Sequence, residues 1–454
     1  MKIEISAFLD SLSAALDYVE SEFIEIEPYH PKRVAVMSYV MGKSLGMDPA
    51  ECYAMACAAL LHDCALPEYL ADEKLGEGLE VTEAVMEGHC LEGERRISKF
   101  PFYSYTEGTV LYHHERADGK GAFGKLPNEI PMRAQLVHIA DAADVLFSFY
   151  TFDEDKYARV LAWLDEESGK TFSAECADAF RKSVNHSLLR NLAGDGCKVE
   201  LRRVLIPYEV EIPSSLLREI STLFAEIIDF KSAFTRRHSL GIAEKAQKMG
   251  EFYGLDEEMC DRLYVAGALH DVGKLIVDNS ILEKPGKLTP DEYKTIQDHA
   301  LGTWYLLRNI GGMEEIARWA ALHHEKLDGS GYPFGYDAER LTMFERLMGC
   351  IDIYQALVEE RPYKAGLSHE AAIGILRKMG SDGQLDNALI DDVDHCFSGA
   401  SAVEGHGIAT TPAVPEDMHG WRCPVCGYVY EGDPLPEGFV CPRCEQPGTI
   451  FERV

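Results

Sequence analysis

No apolar run in this 454-residue chain approaches the ~20 residues needed to cross a bilayer, so no membrane-spanning helix is expected. Positive charge is scarce as well: 44 Lys and Arg stand against 76 Asp and Glu, for a formal net charge of −32. A field of that sign repels phosphate, which argues against general binding to nucleic acid or to anionic membrane surfaces. A phosphate-bearing substrate would need metal ions or a few local cations to overcome it. The N-terminus, "MKIEISAFLDSLSAALDYVESEF", lacks the basic start and cleavage site of a signal peptide. It reads as an amphipathic helix, and a cytoplasmic location is expected. Convincing strand alternation is missing outside the last 35 residues. What is present, 46% hydrophobic residues and a mean hydropathy of −0.16, describes a globular protein of two or three domains. Thirteen cysteines in a chain of that location point to metal binding or buried thiols before disulfides.

The phrase "HHERADGKGAFG" (113–124) returns as "HHEKLDGSGYPFG" (323–335), and the agreement extends beyond it. At an ungapped offset of 208, Gly46, Asp48, Cys52, Ala58, Leu61, His62 and Asp63 reappear as Gly254, Asp256, Cys260, Ala266, Leu269, His270 and Asp271. His30 and His238 each precede the His-Asp pair by 32 residues. His89 to His113 and His299 to His323 are both steps of 24, and His114 and His324 lead to Asp141 and Asp352 after 27 and 28. Such a length marks a duplicated domain, since solenoid repeats run ~20–50 residues. The copies read as helical. After His238, Ile242, Ala246, Met249 and Tyr253 share one helix face, "DRLYVAGALHD" ends a helix starting near Asp256, and Asp352 falls inside "LTMFERLMGCIDIYQALVEE". "DGSGYP" is a glycine-rich loop.

Ten of the sixteen histidines belong to the two repeated sets. In the second copy His238, His270, Asp271, His299, His323, His324 and Asp352 are imidazoles and carboxylates, donors suited to iron, manganese or zinc. Successive helical residues point ~100° apart, so His270-Asp271 and His323-His324 can each serve two neighbouring ions. Seven donors plus a water suit two such ions and are too many for one.

The segments "RRHSLGIA", "HDVGK", "DHALGTWYLL", "HHEKLDGSGYP" and "IDIYQALVEERPYK", closed by "SDGQLDNALIDDVDHCF", resemble the HD-GYP branch of the HD phosphohydrolase superfamily over residues 220–397. The resemblance implies an all-helical domain that hydrolyses the bacterial second messenger cyclic di-GMP to pGpG or GMP. It implies that Asp271 bridges two metals, which activate water and clamp the phosphoryl oxygens. It further implies that Lys274 assists at the scissile phosphate, where charge builds, and that Lys274, Arg361 and Lys364 hold the dinucleotide. Some members hold a third metal with a glutamate where this chain has Phe234, so two metals are expected. Asp328, Gly329, Gly331, Tyr332 and Pro333 are read as shaping the pocket beside the metals.

The first copy retains every ligand type, as His30, His62, Asp63, His89, His113, His114 and Asp141. It has Leu66 in place of Lys274, Tyr150 near the place of Arg361, and "GAFG" for "GYPFG". A metal-holding regulatory or sensory domain is therefore expected. The alternatives are chemistry on another substrate, as in HD proteins that are di-iron oxygenases, or a structural remnant. Unused buried histidines and aspartates cost stability, which weighs against the last.

The tail carries Cys423-x2-Cys426 and Cys441-x2-Cys444, two pairs in a module too small for a core of its own. "CPVCGYVYEGDPLPEGFVCPRC", with Trp421, Tyr428, Tyr430, Phe439 and Phe451, resembles a rubredoxin-type domain, nearer the tail of rubrerythrin than free-standing rubredoxin. Glu445 departs from the glycine usual there. The resemblance implies one iron, with zinc as the alternative, and a one-electron carrier.

The expected fold is mainly α: two tandem all-helical HD-superfamily domains plus a small β-rich rubredoxin-like metal-knuckle domain. The expected boundaries are 1–205 for the first copy, 206–218 for a linker, 219–398 for the second copy, 399–418 for a flexible linker and 419–454 for the knuckle. The expected cofactors are two dinuclear centres, of iron with manganese as the alternative, and one four-cysteine iron or zinc. The expected function is a cyclic di-GMP phosphodiesterase under redox control. The rivals are a di-iron oxygenase fed by the tail and a non-catalytic sensor of oxygen, redox state or cyclic dinucleotides. Expected partners are the cyclic dinucleotide and a redox protein, with no nucleic acid or membrane; a homodimer is compatible with the sequence.

Overall fold

The computed structural model describes residues 1–23, 26–66, 69, 83–101, 104–205, 209–230, 238–282, 284, 286–360 and 365–398, together with three two-residue strands near the C-terminus. The chain divides into two compact units, Met1–Gly407 and Ile408–Val454. The first is mainly helical, and in it the two copies lay out corresponding helices in the same order. His30–Ser44, Pro49–Ala59, Glu83–Ile97 and Met132–Phe147 correspond to His238–Phe252, Glu257–Leu269, Pro290–Leu307 and Met343–Val358.

The repeated residues explain why these helices start and stop where they do. Gly46 and Gly254 lie at φ 76° and 68°, a left-handed turn that closes one helix at little cost only for glycine. Two residues later Asp48 and Asp256 cap the next helix, accepting from the backbone N–H of Ala50 at 2.8 Å and of Met259 at 2.9 Å. Cys52 and Cys260 are buried in that helix, each thiol 3.8 Å from a backbone carbonyl, of Met47 and Leu255. These two cysteines therefore belong to the frame. Ile242, Ala246 and Met249 are buried on the face that the periodicity indicated.

The N-terminal segment does more than the sequence suggested. Lys2–Glu4 pairs antiparallel with Glu209–Glu211, Ile3 opposite Val210, inside the stretch read as a linker. Three residues are too few to show an alternation, so the strand pattern could not be seen there. The helix Ile5–Phe23 follows, burying Phe8, Leu9, Leu12 and Leu16. It joins both copies. On one side Lys32 Nζ reaches Asp10 Oδ1 at 2.5 Å and Ser13 Oγ at 2.7 Å. On the other, Phe8 meets Phe224 edge-on at 6.0 Å, and Ser11 donates to the Leu306 carbonyl at 2.9 Å.

The C-terminal unit contains a three-stranded antiparallel sheet, in which Trp421–Arg422 lies between Val429–Tyr430 and Glu452–Arg453. Among the described residues no helix is long and apolar enough to cross a membrane.

Phe8 is 1% exposed, so Phe8→Ala should destabilise the helical unit by about 3–5 kcal/mol. The expected outcome is a lower urea midpoint for loss of helical circular dichroism. An unchanged midpoint would show that the N-terminal helix contributes nothing to the unit.

Candidate metal centres

In the second copy the seven predicted side chains converge from five places. His238 opens the helix His238–Phe252, His270 ends Glu257–Leu269, and Asp271 follows it. His299 sits within Pro290–Leu307, His323 and His324 follow Glu314–Ala321, and Asp352 lies within Met343–Val358. The turn after His270 can approach the His299 helix because residue 273 is glycine. A Cβ there would lie 1.9 Å from the His299 carbonyl oxygen and 2.4 Å from the Thr303 nitrogen. Thr303 Oγ1 fastens the approach, donating to the His270 carbonyl at 2.8 Å and accepting from Gly273 N–H at 3.0 Å.

Three of the histidines are held in one manner. Nδ1 of His270, His299 and His323 donates to the carbonyl three residues back, at 2.7, 2.6 and 2.6 Å. That fixes the tautomer and leaves Nε2 as a bare lone pair. Each of these Nε2 atoms is buried and has no hydrogen-bond partner. Two of them face a carboxylate: His270 Nε2 lies 3.0 Å from Asp271 Oδ2, and His299 Nε2 lies 3.4 Å from Asp271 Oδ1. His238 Nε2 is 3.4 Å from Asp352 Oδ1, and His324 Nδ1 is 3.7 Å from Asp352 Oδ2. Donor atoms gather in three overlapping groups: His299, His323 and His324; His238, His270 and Asp352; and His270, Asp271 and His323.

The electrostatics suit cations. Burial opposes charge on Asp271, but His270 and Lys274 outweigh it and hold the carboxyl well below its usual range. Burial lowers His299 to about 4 and, aided by neighbouring His324, holds His323 well below its usual range. His238 is pulled up to about 9, because Asp352 and Glu359 more than offset its burial. Imidazoles with enclosed bare nitrogens, set against ionised carboxylates, are the donor set that divalent transition ions take. The residues present therefore fit a metal centre.

Lys274 places Nζ 2.5 Å from Asp271 Oδ2, its side chain 21% exposed. The glycine-rich "DGSGYP" loop flanks the centre, with the Tyr332 ring 4.7 Å from that of His324. Arg361 and Lys364 lie outside the described residues, as do Phe234 and the tail cysteines Cys423, Cys426, Cys441 and Cys444.

The first copy repeats the pattern. His62 and His113 bond Nδ1 to the carbonyl three residues back, of Ala59 at 2.8 Å and Val110 at 2.6 Å; His89 bonds to Val85, four back, at 2.8 Å. Asp63 Oδ1 lies 3.5 Å from His89 Nε2 and 3.4 Å from His113 Nε2. His30 Nε2 is 3.2 Å from Asp141 Oδ1, and His114 Nδ1 is 3.9 Å from Asp141 Oδ2. Buried Leu66 stands where the second copy has its lysine.

Sequence reasoning missed the supporting carboxylates. Glu359 lies 3.0 Å from His238 Nδ1, and Asp144 lies 2.7 Å from His30 Nδ1 while also accepting from Arg33 at 2.7 and 2.8 Å. The glutamate after each His-His pair anchors the glycine loop. Glu325 accepts from the N–H of Phe334, Gly335 and Tyr336, and Glu115 from Phe123 and Lys125. The repeated "HHE" held that signal. Buried His138, its ring 6.3 Å from that of His114, has no counterpart in the second copy and was also missed.

Residues 19–169 and 222–389 match the HD domain family, and residues 421–452 match the rubredoxin-like domain of rubrerythrin. The chain belongs to the HD domain family, with that domain in two segments and a rubredoxin-like domain at the C-terminus. The 3'3'-cGAMP-specific phosphodiesterase 1 of Vibrio cholerae is 29% identical over 393 residues, spanning 84% of this chain and 89% of that protein. A cyclic di-GMP phosphodiesterase of Pseudomonas aeruginosa is 32% identical over 178 residues, 39% of this chain and 42% of that one. A solved structure of a cyclic GMP-AMP specific phosphodiesterase of V. cholerae superposes with a TM-score of 0.60 at 21% identity, covering 88% of this chain and 98% of that one. That likeness shows a shared fold.

Carboxylates that orient metal-binding histidines typically contribute about 10–100-fold in metal affinity. Glu359→Gln should therefore weaken metal binding at the second copy by about that factor, read by competition with a chelator. Unaltered affinity would remove Glu359 from the support of His238.

Proposed function

We propose that this protein is a metal-dependent phosphodiesterase of cyclic dinucleotides whose chemistry is carried by the second copy. The observation that carries the reading is the pairing of an enclosed seven-donor centre with Lys274 at its Asp271 carboxylate. His238, His270, Asp271, His299, His323, His324 and Asp352 would hold two divalent ions, iron or manganese. Such ions supply Lewis acidity, easing deprotonation of water at neutral pH and neutralising charge on the phosphoryl oxygens.

The chain's own residues do the rest. Asp271 turns one oxygen to His270 and the other to His299, so it is the carboxylate both ions would share. Lys274 sets a cation at the edge of the centre, where a phosphodiester gains charge as it is attacked. Arg361 and Lys364 complete the grip on the dinucleotide in this reading. The first copy lacks the lysine and serves as a metal-holding regulatory domain through His30, His62, Asp63, His89, His113, His114 and Asp141. The boundaries at 206–218 and 399–418, the β-rich knuckle and a cytoplasmic location belong to the same reading.

Cyclic di-GMP is the substrate that the second-copy motifs suggest. A second reading, 3'3'-cGAMP, is favoured by one observation. The cGAMP-specific relative aligns over 84% of the chain, whereas the cyclic di-GMP phosphodiesterase of P. aeruginosa aligns over 39%. Metal-loaded protein incubated with each nucleotide should yield linear dinucleotide or mononucleotide. Lys274→Ala should lower turnover by about 10²–10³-fold with metal content intact, as for loss of one transition-state donor, and Asp271→Ala should lose both. No product from either nucleotide would end the reading.

The rubredoxin-like tail supports a further part of it. Cys423, Cys426, Cys441 and Cys444 would hold one iron that sets the oxidation state of one or both HD centres. Deleting residues 405–454 should leave a phosphodiesterase whose rate no longer responds to reductant or oxygen. Undiminished redox dependence in that truncation contradicts the coupling.

A further inference from the structure

Where the second copy has Ala300 beside His299, the first has Cys90 beside His89. Cys90 is fully buried, and its Sγ lies 3.6 Å from His89 Nε2; it also lies 3.6 Å from Nδ1 of His113, the ring nitrogen that the Val110 carbonyl holds. Donor atoms of His89, Cys90, His113 and His114 all fall within 4.8 Å of one another. An ion bonded tetrahedrally to sulfur at ~2.3 Å and to imidazole at ~2.0 Å sets those donors about 3.5 Å apart.

The thiol is not the sole pointer. Asp63 Oδ1 and His113 Nε2, both buried, have no hydrogen-bond partner. They lie 3.4 Å from each other, and Asp63 Oδ1 lies 3.5 Å from His89 Nε2. Of these two enclosed, unpartnered donors, one lies against His89 Nε2, which the sulfur also approaches, and the other is on the His113 ring whose Nδ1 the sulfur approaches.

We propose that Cys90 is a sulfur ligand, completing with His89, Asp63 and His113 a mixed sulfur, nitrogen and oxygen site in the first copy. Binding releases the thiol proton to solvent and forms a metal–thiolate bond. Thiolate donors favour iron and zinc, while oxygen donors suit magnesium and manganese. The two copies therefore differ in metal preference, the first selecting iron or zinc through a sulfur that the second lacks. This inference rests on the reading of the first copy as metal-holding and is independent of the substrate of the second.

The test uses the full chain with the tail thiols removed by Cys423→Ser, Cys426→Ser, Cys441→Ser and Cys444→Ser, stripped of metal and loaded with cobalt(II). A near-ultraviolet sulfur-to-cobalt charge-transfer band is expected. It should vanish on adding Cys90→Ala, with cobalt held about tenfold or more weakly at that site. Alanine is what the corresponding helix of the second copy carries, so the variant is compatible with the fold. A parent protein without the band, or a band that survives Cys90→Ala, overturns the inference. His113→Ala should lower the cobalt bound per chain. An unchanged count there would overturn the metal-holding reading beneath it.

Discussion

A buried imidazole can act as a ligand only if one nitrogen is occupied and the other is left bare, and this chain meets that demand repeatedly in the same way. His62, His113, His270, His299 and His323 each give Nδ1 to a backbone carbonyl three residues earlier. The helical frame thereby determines which nitrogen points inward. The bare nitrogens then converge on Asp63 and Asp271, at a cost in desolvation that a bound cation would offset. The capping aspartates, the positive-φ glycines and the absent side chain at Gly273 all hold the helices that carry these histidines in place.

Duplication preserved that frame and let its surroundings diverge in complementary steps. In the first copy Arg33 and Asp144 form a buried ion pair behind His30. At the corresponding places the second copy has Gly241 and Gln355, and the glutamine fills the space over the glycine, where a Cβ would meet its Nε2 at 2.4 Å. The support of His238 passes instead to Glu359. At the centres themselves a leucine replaces a lysine and a cysteine replaces an alanine. Those two exchanges remove a cation and add a thiol while leaving the carbonyl-held histidines untouched.

Much of this was legible from spacing alone, because ligands for one centre must recur at the same steps in both copies. The fourteen donors were read that way, as was the helix start near Asp256. The orienting carboxylates were not. Asp144 follows Asp141 by three residues, whereas Glu359 follows Asp352 by seven, so aligning the copies sets neither against the other. Cys90 was hidden for the same reason, facing an alanine in the repeat. The strand Lys2–Glu4 and the joining role of the first helix depend on partners more than two hundred residues away, Glu209–Glu211 and Phe224, which no local pattern encodes.

The central claim is that both copies gather their imidazoles and carboxylates to hold paired ions. Its most direct test is elemental analysis of the full chain purified without oxygen. About five transition-metal ions per chain are predicted, two for each copy and one for the four-cysteine tail. One ion or fewer, in protein that cannot be reloaded, would contradict it.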